Sequence, residues 1–201
     1  MIWRAPAVGV LTWVWVSLMQ PQQEAYGFMN EGGVNFAVAA FTMISYAASK
    51  ERKTPPINMV TLPLILFTLW TCLTTFTALD REVSAPLLDR TIKTVILCVA
   101  IAALANTRVR IQALVWVLAL SIGYYAVKGA GFFIIHGGAH TVFGPDNTMI
   151  GDNNTLGLAL VMLLPLIHYL RTSSVRKLVR DGCLALMALT FVAVVGTYSR
   201  G

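Results

Sequence analysis

Charge is what this sequence has least of. Lys and Arg number 15, Asp and Glu 9, so 12% of the 201 residues are charged. Soluble domains carry about 25%, and that deficit excludes an ordinary cytosolic fold. Disorder is excluded from the other side, because 57% of the residues are hydrophobic and disordered chains are poor in such residues. Cysteine is also scarce. Cys72, Cys98 and Cys183 are odd in number, show no Cys-x-x-Cys spacing and fall in apolar stretches, so neither a disulfide frame nor a zinc site is expected. No internal repeat of fixed period and no low-complexity segment is present.

The few charges are clustered, which leaves long runs without any. Residues 5–23, 32–49, 54–79, 111–127, 153–170 and 182–199 contain no Asp, Glu, Lys or Arg. A helix needs about 20 predominantly apolar residues to cross a bilayer. The expected fold is therefore all-α, a polytopic transmembrane bundle of about seven spans: 5–19, 33–48, 57–77, 91–105, 111–127, 155–170 and 182–198. Pro63 either marks the start of the third span or kinks its first turn, and Pro165 is expected to kink the sixth. The first run lacks a small-residue cleavage site at Met19-Gln20-Pro21, so it reads as an uncleaved signal anchor.

Lys and Arg accumulate in cytoplasmic loops. With a cytoplasmic N-terminus the inner segments hold Arg4, Lys50, Arg52, Lys53, Arg108, Arg110, Arg171, Arg176, Lys177 and Arg180. The outer segments hold only Arg81, Arg90, Lys93, Lys128 and Arg200. The net charge of +6 is thus a topology signal, and nucleic acid is not an expected partner.

The outer cations are then the anomalies. Lys128 stands before Gly129-Ala130-Gly131 and Phe132-Phe133-Ile134-Ile135. If the fifth helix runs on through these residues, Lys128 is an intramembrane cation and a functional candidate. If the helix breaks at the glycines, Lys128 snorkels at the interface. Arg90 and Lys93 share a helix face, either as a flank or as an anion-binding pair. Arg200 ends the seventh span on the side where cations are not expected.

The longest outer loop, 136–154, contains no Lys or Arg and ends in Asp152-Asn153-Asn154. An Asp or Asn there is suited to cap the sixth helix. A cap leaves part of this row unexplained. The side chains are equally suited to hydrogen-bond sugar hydroxyls, with Asp152 as hydroxyl acceptor or general base. His136 and His140 are four apart among glycines, which does not form a helical metal pair. Either could serve as a base. No metal and no cofactor is expected.

Several of these elements occur together in a known family. Gly144-Pro145, Ile150-Gly151-Asp152-Asn153-Asn154, a Leu-Pro-Leu at 164–166 and the ending Gly196-Thr197-Tyr198-Ser199-Arg200-Gly201 resemble the O-antigen ligase superfamily. The resemblance is greatest to the O-glycosylation ligases associated with exosortase A systems. It extends to Val14-Trp15-Val16-Ser17-Leu18-Met19-Gln20-Pro21, Ser49-Lys50-Glu51-Arg52-Lys53, Ala78-Leu79-Asp80 and Tyr125-Ala126-Val127-Lys128-Gly129.

The resemblance implies a fold similar to the C-type glycosyltransferases, in the bacterial inner membrane. It implies transfer of a glycan from undecaprenyl pyrophosphate, at the periplasmic face, to a protein hydroxyl or a lipid acceptor, without a metal. It places the donor pyrophosphate on Arg200, and the outer cations Lys128, Arg90 and Lys93 suit the same anion. Asp152, Asn153 and Asn154 would meet the glycan, with Asp152 the candidate catalytic group. Two alternatives are a polymerase using the same donor and a transporter or flippase of lipid-linked sugars. In this family the chain continues past the Ser-Arg-Gly motif. Residues 1–180 are accordingly expected to be the subgroup's N-terminal membrane region and 181–201 the start of the ligase domain. These 201 residues alone are expected to be inactive.

Overall fold

The structure is a computed structural model that describes residues 6–21, 33–49, 57–145 and 148–199. Among the described residues there are seven helices and no strand: α1 (Pro6–Met19), α2 (Val34–Ala48), α3 (Thr61–Phe76), α4 (Arg81–Leu104), α5 (Arg108–Ile135), α6 (Asn153–Ser173) and α7 (Lys177–Gly196). The protein is all-α. Three helices, α5, α6 and α7, are long and apolar enough to cross a membrane, and α1, α2 and α3 are shorter apolar helices. Large apolar side chains cover the outside, among them Phe67, Trp70, Leu158, Met162 and Phe191. A helix that is apolar on its buried and its outward faces is suited to a lipid surround.

The chain divides into two compact units, residues 1–10 with 39–111 and residues 11–38 with 112–201. In the first unit α3 packs against α4. Asn58 starts α3 by accepting hydrogen bonds from the N–H groups of Val60 and Thr61, both at 2.9 Å. Pro63 stands in the first turn, where its missing N–H costs no helical bond. Asp80 caps α4, its side chain accepting from Glu82 and Val83. This cap corrects the span expected at 91–105. The helix begins ten residues earlier, at Arg81, and includes Pro86. Arg90 and Lys93 therefore lie within α4 and do not open it.

In the second unit α6 packs against α7, and α5 completes a three-helix core. Leu156, Leu160, Ala126, Ala130 and Ala193 form one buried cluster, and Ala119, Leu163, Ile167, Leu170 and Cys183 form another. The small residues of α5 allow the close approach. A Cβ added at Gly123 would lie 3.1 Å from Leu186, and one at Gly129 would lie 2.7 Å from Val142 and 3.7 Å from Ala193. The glycines at 129 and 131 do not break α5, which is continuous to Ile135. The reading that left Lys128 on a broken helix is corrected accordingly. Likewise α6 runs through Pro165 without ending.

Candidate functional site

The site is built where the C-terminal half of α5, the 136–152 loop, the start of α6 and the end of α7 meet. All of it belongs to the second unit. Gly137 and Gly138 turn the chain out of α5 with positive φ of 59° and 78°, a conformation that costs glycine little. The chain then runs back along the helices. The Val142 N–H donates to the Gly196 carbonyl at 2.9 Å, and the Gly144 N–H to the Gly151 carbonyl at 3.1 Å.

This returning loop forms one wall of a cleft of about 280 Å³. The other wall is α5. Lys128, Tyr125, Gly129 and Phe132 face Thr141, Val142, Phe143, Gly144 and Pro145. The flanking residues Ala126 and Ala130 pack with Leu156 and Leu160. Lys128 itself is exposed. Its Nζ stands 5.9 Å from the centroid of the Tyr124 ring, at the edge of cation–π range. The cleft thus sets one cation against apolar and aromatic side chains.

Beside the cleft lies the Asp152 row. Asp152 caps α6, its carboxylate accepting from the Thr155 N–H at 3.1 Å. That bond, together with the neighbouring N–H groups of Asn154 and Asn153, holds the carboxyl below its ordinary value. A depressed carboxylate is a better hydroxyl acceptor than a general base. Asn153 Nδ2 donates to the Thr197 carbonyl at 3.0 Å. Asn154 Oδ1 accepts from Ser199 Oγ at 2.9 Å. The two amides thus reach the residues just after α7, 44 and 45 positions along the chain. Arg200 itself lies outside the described residues, as do Arg4, Lys50, Arg52 and Lys53.

Other sequence candidates have different surroundings. Arg90 and Lys93 belong to the first unit, and Lys93 makes an exposed ion pair with Asp89, four residues before it on α4, at 2.5 Å. His136 and His140 are 5.3 Å apart between ring centroids, and both rings lie tilted against Phe132. Nδ1 of His136 lies 2.8 Å from the Phe132 carbonyl. Among the described residues no group of three His, Cys, Asp or Glu side chains could hold a metal.

Sequence reading missed Tyr198. It leaves α7 with a positive φ of 48°, rare for a bulky residue. Its hydroxyl donates to the Gly138 carbonyl, and its ring meets Phe133 edge-on at 6.1 Å. The only signal was its place in the Gly-Thr-Tyr-Ser-Arg-Gly ending.

No curated protein and no solved structure matches the chain. A family described as a family of unknown function, DUF5935, matches residues 1–175, ending between α6 and α7. This protein belongs to the DUF5935 family.

Proposed function

We propose that this protein handles a lipid-linked glycan at the outer face of the bacterial inner membrane. In this reading it takes part in transferring the glycan from undecaprenyl pyrophosphate to a protein hydroxyl or a lipid acceptor. The observation that carries the proposal is the Lys128 cleft at the end of α5, α6 and α7 whose connecting loop has no Lys or Arg. The opposite end, the turn between α6 and α7, carries Arg171, Arg176, Lys177 and Arg180. The positive-inside rule assigns that end to the cytoplasm and the cleft to the periplasm. In the same reading all seven helices cross the membrane, with the N-terminus inside.

The chemistry follows from the donor. The acceptor hydroxyl oxygen attacks the anomeric carbon, the bond from that carbon to the pyrophosphate oxygen breaks, and the hydroxyl proton passes to a base. Undecaprenyl pyrophosphate leaves with its electron pair. A cation fixed beside the pyrophosphate stabilises the charge that develops on it. Lys128 occupies that role in the cleft, and Arg200 follows directly on the Ser199 that Asn154 holds. Lys93 is paired with Asp89 on the surface of α4, which weakens it as an anion ligand.

The test is binding of undecaprenyl pyrophosphate to the protein in nanodiscs, with undecaprenol as the uncharged control. Saturable binding of the pyrophosphate alone is expected. A charged hydrogen bond contributes about 1.5–3 kcal/mol, so Lys128→Ala should weaken binding roughly 10- to 150-fold. Equal binding of the alcohol, or unchanged binding by Lys128→Ala, would overturn the proposal.

A further inference from the structure

We propose that Asn153 and Asn154 are positioning residues, a clamp on the C-terminal turn of α7 that fixes the loop wall of the Lys128 cleft. The proposal rests on the reading that this cleft takes the donor's pyrophosphate. A helix cap accounts for Asp152 but gives no reason for two amides behind it. Their partners supply the reason. One amide donates to the Thr197 carbonyl and the other accepts from Ser199 Oγ, so the first turn of α6 holds both ends of the Thr197-Tyr198-Ser199 turn.

The contact is close as well as polar. Thr197 is fully buried. A Cβ added at Gly157, on the next turn of α6, would lie 3.1 Å from Thr197 Oγ1 and 3.3 Å from Ser199 Cβ. From this turn the restraint passes to the loop by two routes. Gly196, the residue before Thr197, accepts from the Val142 N–H, and Tyr198 donates to Gly138. Val142 is itself cleft wall, facing Gly129 beside Lys128. The sequence of contacts therefore runs from Asn153 and Asn154 to residues 197–199, to Gly196, to Val142 and the cleft.

The clamp and a direct glycan contact predict different responses to one substitution. A carboxylate accepts hydrogen bonds from sugar hydroxyls as an amide oxygen does, so a glycan contact made through the amide oxygens tolerates Asp at either position. The clamp does not. Asn153→Asp puts carboxylate oxygen against the Thr197 carbonyl and removes the donor. Asn154→Asp keeps an acceptor for the Ser199 hydroxyl.

The experiment is amide hydrogen exchange on the full chain in nanodiscs, read in peptides covering residues 141–151, together with undecaprenyl pyrophosphate binding. Asn153→Asp and Asn154→Leu should speed exchange there about tenfold and weaken binding, with exchange at the middle of α6 unchanged. Ser199→Ala, which removes one hydroxyl, should behave like Asn154→Leu. Asn154→Asp should match wild type in both measurements. Unchanged exchange over 141–151 in Asn153→Asp and Ser199→Ala would overturn the clamp. Faster exchange with undiminished donor binding would overturn its positioning role. A wild type that binds no donor defeats the proposed function instead, and the exchange data still decide the clamp.

Discussion

Gly129→Ala tests how closely the cleft is packed, because two effects of opposite sign meet at one methyl group. Gly in a helix interior is less favourable than Ala by about 1 kcal/mol, so the substitution gains that much if space is free. Space is not free. The new Cβ would stand 2.7 Å from Val142 Cγ1 and 3.7 Å from Ala193 Cβ. Val142 is buried, at 3% exposure, and its β-branched side chain is stiff about χ1. Its backbone is bonded to Gly196, so relief requires moving the loop. Overpacking of this kind costs typically 1–3 kcal/mol. The net expectation is a loss of about 0–2 kcal/mol. Gly131 is the control: it lies on the same helix, and an added Cβ there meets nothing within 4 Å. Gly131→Ala should be neutral or gain up to about 1 kcal/mol. The assay is unfolding in mixed micelles for both variants and for Gly129→Ala combined with Val142→Ala. The double variant should lose less than the sum of its parts, because shortening Val142 removes the clash. Equal stability of Gly129→Ala and Gly131→Ala would refute the packing argument. Donor binding by Gly129→Ala should fall alongside stability, since the displaced residue is cleft wall.

The Asp152 cap should give a pH-dependent stability. Its folded pKa lies below the unfolded value, chiefly through the Thr155 N–H bond. The stabilisation is therefore present above the unfolded pKa and is lost as pH falls through the folded one. Asp152→Asn keeps a capping oxygen without the charge, so the gap in melting temperature between wild type and variant should close on acidification; a gap constant with pH would count against this. Burial in α6 sets a second contrast. Leu160 is fully buried, and Leu160→Ala should cost about 2–5 kcal/mol. Leu158 is 63% exposed on the outer surface, and Leu158→Ala should stay within about 0.5 kcal/mol. Similar losses for the two would contradict the packing of α6 against α5 and α7.

What the sequence made legible was local. Runs without charge located six of the seven helices among the described residues, all but α4, because both the charge-free run and the helix are properties of adjacent residues. The errors fall at a helix boundary inside a charged stretch and at a residue with a partner outside its own helix. The span expected at 91–105 begins ten residues earlier, at Arg81, behind its Asp80 cap. Gly129 and Gly131 look alike as helix breakers. In the structure one is a notch for Val142 and the other faces open space. The Asp152 cap spans three residues and was readable. The bonds of its neighbours to Thr197 and Ser199 span 44 and 45, and that of Tyr198 spans 60. No pattern along the chain marks such pairs. The same distinction ranks the cations. By sequence Lys93 and Lys128 are both cations on the side where few are expected. Both are exposed, but Lys93 pairs with Asp89 on α4, whereas Lys128 lines a cleft whose other wall is hydrogen-bonded to the end of α7. The proposed function therefore rests on the cleft more than on the count of outer cations.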